Sequence, residues 1–500
     1  MSHVCNARAT GTQCALMAML MFAGSAFSAT LTLTEAKLVD HIKGGWIAEN
    51  CGLRIGLPYE NWGPDQNRTL GTITSTNIPL CGDDDIYGEL PFLATMSTKK
   101  GGANGIFTAT MQDYGDAWKA TTFPLWFGNN DARNALKDGY NPPYSGGWPL
   151  NGWSPNGNAE AIDYQIECQW IGLSTPCLPA YCFKIDSLCG HVIGYANGIY
   201  AGTFFDIAIS IAPLYSDIHT IVKQANSALP PQCDIRKNND SLISYHDKNP
   251  TKTYWDAMNW AMGMNGQSAH CIADFTQGSR TNEIVVAIAL LWGDGDMMNT
   301  LTDCVRMGQD ADCNCADACT IVGCMLGYAN LPQAWRTAYE AAPNCTFSNS
   351  TGVSGWTFSR VLDSTLAIAK KGILQAGGSY ANGVYTIPVQ EIPSPQWFEK
   401  SGSIPQFIGH THTAQRSIVS ADEFLGLSTT TLKGSSPSIS ITALGVHAVR
   451  LLSPSGSVIR SLTGAGPRSY AFKEGELVPG IYLLSASVNG ANLVRQLIIQ

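Results

Sequence analysis

The chain has 500 residues, 45% of them hydrophobic, enough for a large core and more than one domain. Charged residues make up only 14% and the formal net charge is −9 with no basic run, which argues against nucleic acid as a main partner. The first residues, "MSHVCNARATGTQCALMAMLMFAGSAFSAT", carry Arg8 in a polar lead, an apolar run from Ala15 to Ala23, and small residues Ala26 and Ser28 where a signal peptidase reads. That run is too short to span a bilayer, and no later segment reaches about 18 apolar residues. Residues 1–28 therefore read as a signal peptide rather than a buried helix, and the protein is expected to be secreted or held at the cell surface.

Residues 29–392 read as an all-α domain with long loops. In "TEAKLVDHIKGGWIAENCGLRIGLP", Leu38, Ile42 and Trp46 recur every four residues until Gly56-Leu57-Pro58 stops the run. "NAEAIDYQIECQWIG" sets Ile162, Ile166 and Trp170 on one expected helical stripe, and "NEIVVAIALLWGDGD" and "CADACTIVGCMLGYA" read as buried helices. In the last, Cys319, Gly323 and Gly327 form a stripe of small residues that allows a neighbouring helix to come close. The aromatic loop "YNPPYSGGWPLNGWSPNGN" (Tyr140 to Asn158) either stacks a sugar or base, or simply packs.

Of 16 cysteines, Cys5 and Cys14 lie in the leader and the rest fall between Cys51 and Cys345. Export permits disulfides, and Cys168, Cys177, Cys182 and Cys189, close together in a loop-rich stretch, are candidates for pairing. Cys313, Cys315, Cys319 and Cys324 lie along one helix and cannot close a tetrahedron around one zinc ion.

Residues 393–433 read as a Ser/Thr-rich linker and 434–500 as a separate small β-sandwich. Its expected strands are "SISITAL", "HAVRLLSP", "SVIRSL", "GIYLLSASV" and "NLVRQLIIQ", separated by turn signals such as Pro454-Ser455-Gly456 and Asn489-Gly490. Five basic residues (Arg450, Arg460, Arg468, Lys473, Arg495) against Glu474 and Glu476 make this tail positive. "VPGIYLLSASVNGANLVRQLIIQ" resembles the C-terminal sorting modules of the type IX secretion system, which implies a secretion machinery as partner; a generic accessory sandwich is the alternative.

The acidic clusters carry the chemistry. "RMGQDADCNCADACTIVGCMLGYANLP" opens with Asp310 and Asp312 before an apolar run. An EF-hand loop beginning at Asp310 would need Gly at position six and Glu at twelve, where Cys315 and Ile321 stand. One Asp there could cap a helix. Two, alternating along an extended lead-in, point the same way and need a cation. "PLCGDDDIYGELPFL" sets Asp83, Asp84 and Asp85 before a second apolar segment, with Glu89 a turn on. Hard oxygen ligands of this kind suit Mg2+, Mn2+ or Ca2+ rather than zinc.

"GQDADCNCADACTIVGCMLGYANLP" resembles the Gly-x-Asp-x-Asp-[Thr/Ser/Cys]-Asn signature of ADP-ribosylglycohydrolases, the dinitrogenase-reductase-activating glycohydrolase family, in a secreted bacterial branch. "GDDDIYGELPF" is similar to that family's first acidic motif, and "GGWIAENCGLRIGLPYE" to its N-terminal Gly-rich helix ending in Pro-x-Glu. "NNDARNALKDGYNPPYSGGW", "NAEAIDYQIECQWIGLSTP", "GHVIGYANGIYAGTFFDIA" and "AIALLWGDGDMMNTL" follow in the family's order, so the likeness covers roughly residues 35 to 375.

The resemblance implies two divalent cations, Mg2+ first with Mn2+ or Ca2+ as alternatives. Asp84 and Asp85 would hold them with Asp83 in the place of a Thr ligand, facing Asp310 and Asp312, with Cys313 where many members have Thr. Glu60 matches the acidic residue near the scissile bond, so Glu60, Asp85 and Asp310 are the implied catalytic residues. Asp163, Gln165 and Glu167 on one side of the cleft, and His191 and Asn197 on the other, are the implied substrate-binding residues. Helix caps, surface polar groups or a satisfied core His are the alternatives for these. The sequence departs from the family at Ile86, where Thr often follows the Asp pair, and at Gly52-Leu53, where Gly-Asp is common.

The implied activity is metal-dependent hydrolysis of an ADP-ribosyl or related glycosyl bond. The substrate would be an ADP-ribosylated or glycosylated small molecule or protein, and the enzyme a monomer. A secreted glycosidase acting on a nucleoside-like or carbohydrate substrate, and a non-catalytic binder that kept the fold, are the rival readings.

Overall fold

The computed structural model describes residues 29–73, 80–99, 108–149, 153–347, 354–393 and 398–400, with C-terminal strands between 431 and 499. The signal-peptide reading and the turns at Pro454-Ser455-Gly456 and Asn489-Gly490 lie outside the described residues. The chain up to Gln375 is mostly helical. Ten helices build and support the site: α1 (Glu35–Gly56), α2 (Asp84–Tyr87), α3 (Phe127–Lys137), α4 (Asp163–Ile166), α5 (Gln169–Ser174), α6 (Pro179–Ile193), α7 (Asn197–Ile211), α8 (Ser279–Gly293), α9 (Ala311–Leu326) and α10 (Phe358–Gln375). No helix among the described residues is long and apolar enough to cross a membrane.

Helix α1 starts where the Thr34 hydroxyl accepts the Lys37 N–H at 3.2 Å. Its expected face, Leu38, Ile42 and Trp46, is fully buried. A second face is made of small residues and meets α9 running the other way. A Cβ on Gly44 would collide with the Gly323 carbonyl, one on Gly52 with that of Cys315, and one on Gly56 with that of Ala311. Cys319 and Gly323 of the expected stripe thus lie in this crossing, whereas Gly327 ends α9 with φ +80 against Asp40. Because the two helices are antiparallel, the end of α1 lies beside the start of α9, which brings Glu60 to Asp310 and Asp312.

The expected stripe of Ile162, Ile166 and Trp170 is not one helix. The chain breaks at Glu167 and Cys168 between α4 and α5. Ile162 and Ile166 pack with Cys313, while Trp170 enters the main core. Helices α7 and α8 are buried nearly all round and run through that core.

Strand was scarce in the sequence pattern, yet the helical part carries a three-stranded sheet, β1 (Thr30–Thr34), β2 (Ser379–Ala381) and β3 (Val384–Pro388), in the order β1-β3-β2. Thr30 pairs with Pro388 and Thr34 with Val384, antiparallel, so the two ends of this part are stitched together.

Near the C-terminus lie β4 (Thr431–Leu432), β5 (Ser438–Ile441), β6 (Val446–Leu452), β7 (Val458–Ala465), β8 (Arg468–Ala471), β9 (Gly480–Val488) and β10 (Ala491–Ile499). They form a five-stranded sheet, β4-β10-β9-β6-β7, and a two-stranded one, β5-β8. Strands β5, β6, β7, β9 and β10 are the five expected; β4 and β8 are additions.

Cys81 and Cys345 form a disulfide across 264 positions. Cys168, Cys177, Cys182 and Cys189 are free and buried, which corrects the pairing considered for them. They serve as small apolar groups, the Cys168 thiol donating to the Gln165 carbonyl at 3.1 Å. Burial pushes the Cys177 thiol up to about 12.

Candidate metal centre

Gly308 and Gln309 have φ of +70 and +66, a sharp turn that delivers the chain to α9. Asp310 occupies the N-cap position but its side chain caps nothing, and Asp312 lies in the first helical turn. The extended lead-in expected for this pair is therefore replaced by a cap and a turn of helix, because α9 begins at Ala311. Asn282 of α8 braces the segment through its side-chain oxygen, accepting the Asp310 N–H at 3.3 Å and the Asn314 amide at 3.0 Å.

In the first cluster Asp83 caps α2, accepting the Asp84 N–H at 2.9 Å and pairing with Arg54 at 3.5 Å. Asp85 is buried, 2% exposed, and the Cys313 thiol donates to its Oδ1 at 3.3 Å. Residues more than two hundred positions apart thus meet. One oxygen each from Asp85 and Asp312 and the Cys313 sulfur lie within 4.8 Å of one another, as do oxygens of Glu60, Asp310 and Asp312. Asp312 belongs to both triads. Asp83 and Asp84 belong to neither.

Concentrating acid here pushes protonation equilibria up. Burial, then the hydrogen bond that protonated Asp84 donates to Asp83, lifts Asp84 to about 8. Burial, then Asp312, pushes Asp85 well above the usual carboxylate range; burial, then Asp310, does the same to Asp312. Glu60 is half-buried and raised by burial, Asp310 and Asp83, while the Asn61 amide donates to its Oε1 at 2.8 Å. Asp85 Oδ2 and Asp312 Oδ1 are buried with no hydrogen-bond partner. Buried, unpaired, mutually repelling carboxylates are stabilised by a cation, and oxygen donors with one thiol fit a hard divalent ion. The residues present fit the group.

The residues expected to bind substrate divide. Asp163 and Glu167 stand against the cluster. Asp163, raised by burial to about 7, also feels Asp310, and Glu167, pushed up mainly by burial, feels Asp84 and Asp163. Asp163 accepts the N–H groups of Gly128 and Asn129 at 3.0 and 2.8 Å, and the Asn129 amide donates to Glu167 at 2.8 Å.

Gln165 is fully buried and donates to Asp317 at 2.6 Å. His191 meets Glu399 at 2.7 Å through Nε2 and the Ser187 carbonyl at 2.5 Å through Nδ1. Asn197 donates to Glu160 at 3.0 Å and Asp234 at 3.2 Å. These three are tied to protein groups rather than to the acidic cluster. In the aromatic loop, Trp148 packs on Tyr195 and His191, and Trp153 on Tyr140.

Asn129 and Asn282 were not singled out in the sequence. Asn129 stands within "NNDARNALKDGYNPPYSGGW"; Asn282 had no signal beyond its place at the start of an apolar helix.

The chain belongs to the ADP-ribosylglycohydrolase family, whose model matches residues 34–353. Members typically depend on a divalent metal. No curated protein matches it. A solved structure titled "ADP-ribosylglycohydrolase-related protein complex" is similar over 68% of this chain and 98% of its own, with a TM-score of 0.41 and 10% identity.

Proposed function

We propose that the protein is a divalent-metal-dependent glycohydrolase that cleaves an ADP-ribosyl or related N- or O-glycosidic bond by attack of water at the anomeric carbon. The observation that carries this reading is the pair of triads sharing Asp312. Asp85, Asp312 and Cys313 would hold one ion and Glu60, Asp310 and Asp312 the other, with Mg2+ the first choice and Mn2+ or Ca2+ alternatives. Bound ions would supply positive charge for vicinal hydroxyls of the sugar and lower the pKa of a water.

The chain's own residues do the rest. Glu60, half-buried and raised, is poised to take a proton from that water or to return one to the leaving group. Asp163 and Glu167, fixed by the start of α3, wall the site.

Asp310→Ala or Asp312→Ala is expected to abolish turnover while the circular-dichroism spectrum and melting cooperativity stay those of the parent. Product analysis on ADP-ribosyl-arginine, ADP-ribosyl-serine and an oligosaccharide panel identifies the bond, and undiminished activity in either variant refutes the assignment. Absence of bound metal by elemental analysis, with no hydrolysis at millimolar Mg2+ or Mn2+, would favour the non-catalytic binder.

The leader motif in residues 1–28 supports export, and the two C-terminal sheets support a small sandwich acting as a sorting module for a secretion machinery. A monomer is the working assembly.

A further inference from the structure

Resting on that glycohydrolase reading, we infer that Glu399 is a positioning residue of the acidic site: docked at the start of α7, it fixes the 156–163 segment that presents Asp163. The family model ends at residue 353, so this support comes from a stretch of the chain beyond it.

The docking place is built for a carboxylate. Glu399 is 4% exposed and both its oxygens accept, Oε1 from His191 Nε2 at 2.7 Å and Oε2 from the Ala196 N–H at 2.9 Å. His191 Nδ1 faces the Ser187 carbonyl, a second group that only accepts, so both ring nitrogens donate and the buried imidazole is a cation. Burial opposes that charge, but the Glu399 carboxylate outweighs it and leaves the imidazole above its ordinary value. Asp186, the other acid near this ring, is committed to the Tyr164 and Thr203 hydroxyls at 2.9 and 2.6 Å. The Ala196 N–H stands at the N-terminus of α7, the end of a helix that favours an anion. Ala196 itself adopts φ +51, which an alanine holds only where its surroundings impose it. Phe398 stacks on Tyr200, whose hydroxyl accepts the Glu399 N–H at 2.6 Å, so ring, backbone and charge hold the segment together.

From this corner three ties run toward the acidic site. The Tyr195 N–H, next to Ala196, donates to the Ala159 carbonyl at 2.9 Å. Gly198 packs so closely on the same carbonyl that a Cβ there would overlap it. The Asn156 amide spans the Ile193 carbonyl at 2.7 Å and the Gly128 carbonyl at 3.2 Å, joining the end of α6 to the start of α3. Asp163 follows directly along the chain, the Ala161 N–H closing on the Asn158 carbonyl at 2.9 Å, and it holds the N–H groups of Gly128 and Asn129. The residue that feels Asp310 thus leans on a segment gripped by the 193–198 corner. That corner contains a strained alanine and a buried cation, and both face Glu399. Without the carboxylate the imidazolium loses the counter-ion it touches, and the corner has nothing to hold Ala196 in place.

Hydrogen–deuterium exchange of the full chain compares the parent with Glu399→Ala and with Glu399→Gln, which keeps one acceptor and loses the charge. In Glu399→Ala the amides of 127–129 and 159–163 are expected to exchange roughly tenfold faster, together with those of 195–198, while α1 and α10 keep parental rates. Glu399→Gln should show the same pattern at smaller amplitude. Faster exchange confined to 191–200, parental rates throughout, or an equal rise in α1 and α10 would each overturn the inference. Mn2+ uptake by the parent, counted in parallel, separates the two levels. Two ions bound, with no loosening of 127–129 and 159–163 in the variants, removes the positioning role and leaves the glycohydrolase standing. Loosening in the variants with no ion bound by the parent keeps the role of Glu399 and removes the metal-dependent reading.

Discussion

Asp312 stands where two triads overlap, so its loss should cost more than that of any other ligand. Glu60→Ala should remove one ion and Asp312→Ala both, a difference that elemental analysis of dialysed protein reads directly. The raised carboxyls also set a direction for stability. In metal-free protein Asp84, lifted to about 8, and Asp163, lifted to about 7, keep protons that the unfolded chain releases near the ordinary carboxylate value of about 4. The native state then binds more protons than the unfolded one, so stability falls as pH rises from about 4 to 8. The melting temperature in chelator is expected to be lower at pH 8 than at pH 5, with Mn2+ restoring more at pH 8. A flat or opposite profile would mean that these acids are not buried as described.

At the scale of elements, the site depends on how closely α1 and α9 approach. Gly52→Ala would drive a Cβ into the Cys315 carbonyl and should destabilise by about 1–3 kcal/mol in urea unfolding. Gly71→Ala, with open space around it, should change stability by less than about 0.5 kcal/mol.

Much of this level was legible in the sequence. The four-residue recurrence of Leu38, Ile42 and Trp46 gave α1, and the run after Asp312 gave α9 with its small-residue stripe. The break at Glu167 was not legible, since Ile162, Ile166 and Trp170 keep helical spacing across it and only tertiary contacts divide them between Cys313 and the main core. β1 was missed because its alternation is only five residues long and runs straight into the cap of α1. In the site, residue types and order pointed to Asp85, Asp310 and Asp312. The commitments of Asp83 to Arg54 and of His191 to Glu399 depend on packing partners 29 and 208 positions away.

Across the whole molecule, the Cys81–Cys345 disulfide ties the segment before the first acidic cluster to the far end of the helical part. Closing a loop of 264 positions restricts the unfolded chain, so Cys81→Ser should cost roughly 2–5 kcal/mol in denaturant unfolding. Phe398 stacks on Tyr200 and the Glu399 N–H donates to the Tyr200 hydroxyl at 2.6 Å, so residues 398–400 of the expected linker dock on the helical part.

The central claim, that acids from the two clusters jointly hold divalent ions, is tested most directly by counting Mn2+ bound at equilibrium to the parent and to Asp312→Ala, with the variant's melt recorded alongside. Two ions in the parent and none in a cooperatively folded variant is the expected result. A parent that binds no Mn2+, or a variant that binds as many ions as the parent, would contradict it.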